Sequence, residues 1–452
     1  MALNRNQVPQ PSKPTPFNFP RFERFVLSNG LNVLFAPHRK LPLVNLQMTI
    51  KSSALHDPQS KEGLVNLLAE LLLEGTLRRS SRQISDDLER IGASYSTEAD
   101  WNAIHVGLNL LKTNLDKGAE VFADIIRDSV FPKDELERIR RELLVERLRI
   151  VDNPKKLAQE RFFGQLYKGK RYAIPLEGIK NTIQAVQRED ILSFYRDHFN
   201  AANAALIIIG DITRREAENL ANRHFANWPE GASFDLPEVK AVTGNTKQVV
   251  LINKKGAAQS ELCLGHEGAE RHVPEYFALT LLNQVIGGYF LSRLNLNLRE
   301  KRGYTYGIHS NFFFRRKAGP FCISAALQTE HTADAINEII NELVNIQTNG
   351  ISEEELEQAR GYLGGMFPIA FETADQIALG LANIDMYNLP DDYYRTFRDK
   401  LSAVTVKEVH EAARKYLFPD KLHIVLSGDA EKLEKPLKEY FDLSLTEANR
   451  NP

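Results

Sequence analysis

The chemistry-capable residues of this chain stand out because they interrupt apolar runs. Between Gly63 and Thr76 nearly every residue is apolar, so a helix there must be largely buried. Asn66 and Glu70 break it at i and i+4, with Ala69 beside them, so a single turn presents a narrow polar strip. From Lys133 a second helix carries an apolar stripe at Leu136, Ile139, Leu143 and Ile150, and Glu146 falls inside that stripe. A carboxylate on a core-facing stripe requires a partner, a cavity or water; the plain alternative is an arginine partner or solvent at the stripe's end. Farther along, Arg299 and Tyr306 stand seven residues apart in Leu298-Arg299-Glu300-Lys301-Arg302-Gly303-Tyr304-Thr305-Tyr306. Taken alone, they read as a helix-end salt bridge and a strand aromatic.

Other chemistries find no support in the spacing. The eleven histidines include no H-E-x-x-H or H-x-x-E-H. His266 and His272 flank a polar, loop-like stretch and would need a third ligand to hold a metal. His38, His105 and His309 read as surface or hydrogen-bonded structural residues. Gly287-Gly288 and Gly364-Gly365 lack the Lys-Ser or Lys-Thr of a phosphate loop, and no serine nucleophile elbow occurs. Cys263 and Cys322 lie in strand-like apolar runs and read as buried free thiols.

The elements that position these residues come in two copies. Ala185-Val186-Gln187-Arg188-Glu189-Asp190 leads through a helix to a strand ending at Gly210-Asp211. Ala403-Val404-Thr405-Val406-Lys407-Glu408 leads likewise to Gly428-Asp429, with both anchors offset by 218 residues. Phe131 to Leu136 matches Ile351 to Leu356 at an offset of 220, so the chain is a duplication. The first copy opens with a hairpin signal, Phe22 to Leu27, Asn29-Gly30, then Leu31 to Ala36. A third strand near Val44 to Lys51, helices from Gly63 and Ile84, two strands between Ala93 and Leu110, and two or three helices to about His198 follow. The second copy repeats this order, with a capping box at Ser352 and Glu355. The reading is an α+β chain of two homologous domains, each a mostly antiparallel sheet with helices packed on one face. Its parts are an extended arm (residues 1–20), a first domain (21–228), a Pro- and Gly-rich linker (229–246) and a second domain (247–452) carrying Arg299 and Tyr306.

Composition bounds the partners. With 57 basic and 59 acidic side chains in 452 residues, the net charge of −2 excludes a phosphate-neutralising nucleic-acid binder. No apolar run is long enough to span a bilayer. The N-terminal stretch shows no signal-peptide core, which predicts a cytoplasmic location, or a periplasmic one if an export signal has been removed.

Gly63-Leu64, Glu74-Gly75-Thr76, Ile91-Gly92-Ala93, and Glu146 followed by Asp152-Asn153-Pro154 together resemble the inverted-zinc peptidase family of pitrilysin, insulin-degrading enzyme and mitochondrial processing peptidase. The resemblance runs from about residue 22 to 430, and the duplication is part of it. It implies a helix bearing H-x-x-E-H, whose two histidines bind zinc and whose glutamate activates water, with a distant glutamate completing the site. Here those positions are Asn66, Ala69 and Glu70, and only the distal position, Glu146, keeps the expected type. An amide and two carboxylates do not meet zinc's preference for imidazole, and an alanine takes no proton from water. A hard cation on the oxygens of Asn66, Glu70 and Glu146 would stay mostly water-coordinated. The expectation is therefore no metal or cofactor in this chain and no activity of the chain alone.

Arg299 and Tyr306 look like the family's arginine-tyrosine pair, which helps hold the peptide opposite the zinc. A fixed guanidinium and a phenol suit that role, because both donate to a carbonyl oxygen as it gains negative charge. The resemblance thus implies the non-catalytic subunit of a two-chain zinc peptidase, with a homologous zinc-bearing partner and an extended peptide substrate. The alternatives are a scaffold subunit of a larger complex and a homodimer that binds peptides without cutting them.

Overall fold

The computed structural model describes residues 16–447. The first half contains β1 (Glu23–Val26), β2 (Asn32–Pro37), β3 (Leu43–Ile50), α1 (Leu64–Leu71), α2 (Ser81–Arg90), β4 (Ser94–Ala99), β5 (Ile104–Leu111), α3 (Leu115–Arg127), α4 (Lys133–Ile150), α5 (Pro154–Leu166), α6 (Lys180–Ala185), α7 (Arg188–His198), β6 (Ala204–Gly210) and α8 (Arg214–Phe225). The second contains β7 (Gln248–Asn253), β8 (Gln259–Glu267), α9 (Tyr276–Asn283), β9 (Thr305–Phe312), β10 (Pro320–Gln328), α10 (Thr332–Asn349), α11 (Glu353–Ile369), α12 (Ala374–Met386), α13 (Tyr393–Ala403), α14 (Val406–Tyr416), β11 (His423–Gly428), α15 (Ala430–Lys438) and β12 (Asp442–Glu447). Residues 229–245 between them hold no helix or strand. Five helices, rather than two or three, separate β5 from β6, because Asn153-Pro154 and Val186-Gln187 each end one helix and cap the next.

Two six-stranded sheets result, in the orders β1-β2-β6-β3-β5-β4 and β12-β7-β11-β8-β10-β9. Five strands correspond one to one between them. The sixth does not: β1 is the antiparallel outer arm of a hairpin turned at Gly30 (φ 86°), whereas β12 comes from the end of the chain and runs parallel to β7. The second half thus repeats the first except at this outer edge. The capping box expected at Ser352 is present, with the Glu355 N–H donating to Ser352 Oγ at 3.2 Å and the Ser352 N–H to Glu355 Oε2 at 2.7 Å.

Every residue of β6, Ala-Ala-Leu-Ile-Ile-Ile-Gly, is buried. Successive side chains of a strand face opposite ways, so such a run needs cover on both faces. Leu206 and Ile208 enter the core formed with the first half's own helices. Ala205, Ile207 and Ile209 instead meet Ile377, Leu381 and Ala382 of α12, a helix from the second half. The exchange is reciprocal. Phe162 and Leu166 of α5 pack on Ile252, Cys263 and Val425 of the second sheet. Each sheet therefore carries its own helices on one face and one helix of the other half on the opposite face. The thiols of Cys263 and Cys322 lie in this layer, buried and free, 3.2 Å apart.

Ion pairs reinforce the exchange. Asp385 of α12, almost fully buried, receives Arg24 at 3.1 Å and Lys51 at 2.8 Å from the first half. Of the N-terminal arm, residues 1–15 lie outside the described residues; Phe19 is buried edge-on against Phe371 with ring centres 5.0 Å apart.

Candidate functional site

Helix α1 begins at a glycine for a steric reason. Gly63 adopts φ 99°, and a Cβ there would stand 2.4 Å from the Glu177 carbonyl oxygen. Gly63 offers no capping side chain, so Asp57 supplies one from outside the helix, accepting the Gly63 and Val65 N–H groups at 2.8 Å each. Arg171 holds that carboxylate in place at 2.7 and 3.0 Å. The helix is thereby pressed against the 177–178 segment, and its polar turn faces Glu142, Glu146 and Glu177.

Within that turn Asn66 Nδ2 donates to Glu70 Oε1 at 2.8 Å. Burial raises the pKa of Glu70; the Asn66 hydrogen bond opposes this, and the charges of Glu146, Glu142 and Glu177 raise it further. Ala69 is 1% exposed and offers only a methyl group. Glu146 corrects the stripe reading. It is 62% exposed and meets Lys156 Nζ at 3.7 Å, while the buried position is Arg147, bound to Glu160 at 2.6 and 2.9 Å. The step of four from Leu143 leads to residue 147, not 146, and a buried guanidinium is tolerated there because its carboxylate arrives from α5.

These residues do not fit zinc. The amide of Asn66 is committed to Glu70, the base position is a methyl, and Glu146 turns to a lysine. Among the described residues no three His, Cys, Asp or Glu side chains are grouped to hold a metal ion. His266 and His272 do not form a metal pair either: His266 is buried and hydrogen-bonded at both ring nitrogens, and His272 is exposed. His105 is likewise structural, with Nδ1 3.3 Å from Thr49 Oγ1.

The second half brings Arg299 and Tyr306 together. Asn295–Lys301 is a widened, π-type helical segment, shown by the Arg302 N–H reaching back five residues to the Asn297 carbonyl at 3.1 Å. Its Arg299 guanidinium lies over the Phe290 ring at 4.0 Å and the Tyr306 ring at 5.3 Å. Tyr306 sits on β9, the edge strand, where two residues, Tyr306 and Gly307, oppose the single Ala326. That bulge re-aims the side chain outward, leaving Tyr306 87% exposed. Thr305 pins the bulge by donating to the Ala326 carbonyl at 2.6 Å and accepting the Gly307 N–H at 3.1 Å. Phe290, Leu291 and Leu296 are exposed nearby. The result is a rigid cation and a phenol on an apolar surface, both able to donate to an external carbonyl.

Comparisons with known proteins bear on the family and the fold. Residues 33–180 match the family model described as Insulinase (Peptidase family M16), and residues 185–363 match Peptidase M16 inactive domain. An uncharacterized zinc protease of Rickettsia felis is 27% identical over 371 residues, which are 81% of this chain and 89% of the relative. The non-peptidase homolog YmxG of Helicobacter pylori is 20% identical, over 88% and 92% of the two chains. A crystal structure of a peptidase M16 inactive domain from Pseudomonas fluorescens superimposes with a TM-score of 0.85 and 27% identity, covering 90% of this chain and 98% of that one. The two family models, which follow one another over residues 33–363, and the superimposed fold define the class as M16. This chain belongs to that family, the insulinase family of peptidases, as a member whose zinc motif is degenerate and which is non-catalytic by its donor set.

Proposed function

We propose that this chain is the non-catalytic subunit of a two-chain zinc peptidase, and that Arg299 and Tyr306 reach across to the zinc site of a homologous partner bearing H-x-x-E-H. The observation that carries this reading is the outward aim of Tyr306, 87% exposed on a pinned bulge and stacked with Arg299. Exposed aromatic and apolar side chains around a fixed cation suit an interface better than a free surface. In the assembled pair the guanidinium and the phenol would donate to the scissile carbonyl as it becomes an oxyanion, and partner residues would bind the metal and the water. The partner's edge strand would pair with the peptide backbone, supplying most of the affinity.

The test is turnover of the reconstituted pair. Arg299→Ala and Tyr306→Phe are each expected to lower kcat by about 10²-fold, the usual cost of one oxyanion donor, with assembly measured by sedimentation unchanged. Full activity of both variant complexes would remove the role.

A further inference from the structure

A cavity of about 260 Å³ lies where the two halves meet, walled by α4, α5, residues 172–177 and Trp101, and closed by Arg315 of the second half. Most charges on its walls are already answered. Arg147 has Glu160 and Lys156 has Glu146, while Arg171, behind Trp101 at 5.0 Å, has Asp57. Arg315 is different. It is 8% exposed, forms no ion pair among the described residues, and holds its guanidinium 4.5 Å from the ring centre of Tyr172 and 5.1 Å from that of Trp101. The hydroxyl of Tyr172, a residue 2% exposed, meets only the Arg315 guanidinium, which can donate to it but not accept from it, so the hydroxyl's own proton has no acceptor. A buried cation without a counterion and a buried phenol without an acceptor are each costly, and both line the same space. An anionic acceptor would satisfy the two together.

The rest of the cavity describes the body of that ligand. Its apolar lining is Trp101, Phe163, Leu143 and Ile150, and it also carries the exposed carboxylates Glu146 and Glu177. Those acids, with Glu160 in the wall, disfavour a dianion such as phosphate. A monoanion balances the single free charge of Arg315, and a carboxylate accepts two parallel bonds from a guanidinium.

We infer that this cavity binds an α-carboxylate bearing an apolar side chain, with the carboxylate on Arg315 and Tyr172 and the side chain against Trp101 and Phe163. The ligand is the free C-terminus of a short peptide or a free amino acid, its amino end directed toward Glu146 and Glu177. The site belongs to this chain alone and needs neither zinc nor a partner, so it stands or falls separately from the subunit role above.

Calorimetry on the isolated full chain tests it, using the tetrapeptide Ala-Ala-Ala-Phe as free acid, the same peptide as its C-terminal amide, and phenylalanine. The free acid should bind saturably and the amide at least tenfold more weakly. Arg315→Gln should erase that difference. Tyr172→Phe, which keeps the ring and removes only the hydroxyl, should weaken the acid several-fold and serves if Arg315→Gln fails to fold. Tighter binding of the peptide than of phenylalanine would identify a peptide end as the ligand, and equal binding the amino acid; either supports the site. Equal affinity for acid and amide, wild-type affinity in Arg315→Gln, or no binding of phenylalanine or of either peptide up to millimolar concentration would overturn it.

Discussion

At position 266 an imidazole is 3% exposed with both nitrogens committed. Nδ1 donates to the Glu267 carbonyl at 2.7 Å, and Nε2 accepts the Phe418 N–H at 3.2 Å. Protonating Nε2 would set a donor against a donor, and burial lowers this histidine's pKa from 6.5 to about 4. Between those values the unfolded chain binds the proton and the folded chain does not, so this contribution to stability is complete above pH 6.5 and drains away as pH falls toward 4. His198, stacked on Phe194 and also lowered to about 4, acts in the same window. Thermal midpoints measured from pH 7 to 4.5 should fall steeply for the wild type and less steeply for His266→Gln; parallel profiles would contradict the assignment. At the same scale, the residue types of the candidate site were legible because Asn66 and Glu70 lie on one turn of α1 and Arg299 and Tyr306 only seven residues apart across a short turn. The bulge pinned by Thr305 was not, since it depends on a register set by β10. The cavity was not either, because Trp101, Tyr172 and Arg315 are brought together only by the docking of the two halves.

Among the elements, α5 and α12 decide whether the halves behave as one body. Phe162 of α5 is fully buried against the second sheet, so Phe162→Ala should cost about 3–5 kcal/mol. Asp385→Ala, which takes the acceptor from Lys51 and Asn32 and leaves Arg24 only Asp391, should cost about 1–3 kcal/mol. Because each helix belongs to one half and packs on the other, both variants should shift a single unfolding transition in denaturant. A second transition, with one half melting alone, would show that the exchanged layer does not couple them. The strands, the hairpin at Gly30 and the duplication were legible from period-two patterning and repeated punctuation. The sequence reading put helices on one face of each sheet; the second cover of Ala204–Ile209 escaped it because no local signal names α12, about 170 residues away, as the covering helix. The outer strand of the second sheet escaped for the same reason, because β12 pairs with β7 across almost the whole second half.

The whole molecule is one arrangement used twice, with the functional positions of the two copies on different elements: α1 in the first, the 295–301 segment and β9 in the second. The first copy has lost the imidazoles and the base that a zinc peptidase needs on α1. The second carries a guanidinium, held by Phe290 and 3.7 Å from Glu300, and beside it a phenol left exposed on an edge strand. That asymmetry is the central claim, and it is tested most directly by measuring zinc content and peptidase activity of the purified chain, first alone and then mixed with a homologous subunit bearing H-x-x-E-H. The expected result is neither zinc nor cleavage from the chain alone, with cleavage appearing on mixing and exceeding that of the partner by itself. Stoichiometric zinc with cleavage in the isolated chain, or no gain in activity on mixing, would contradict it.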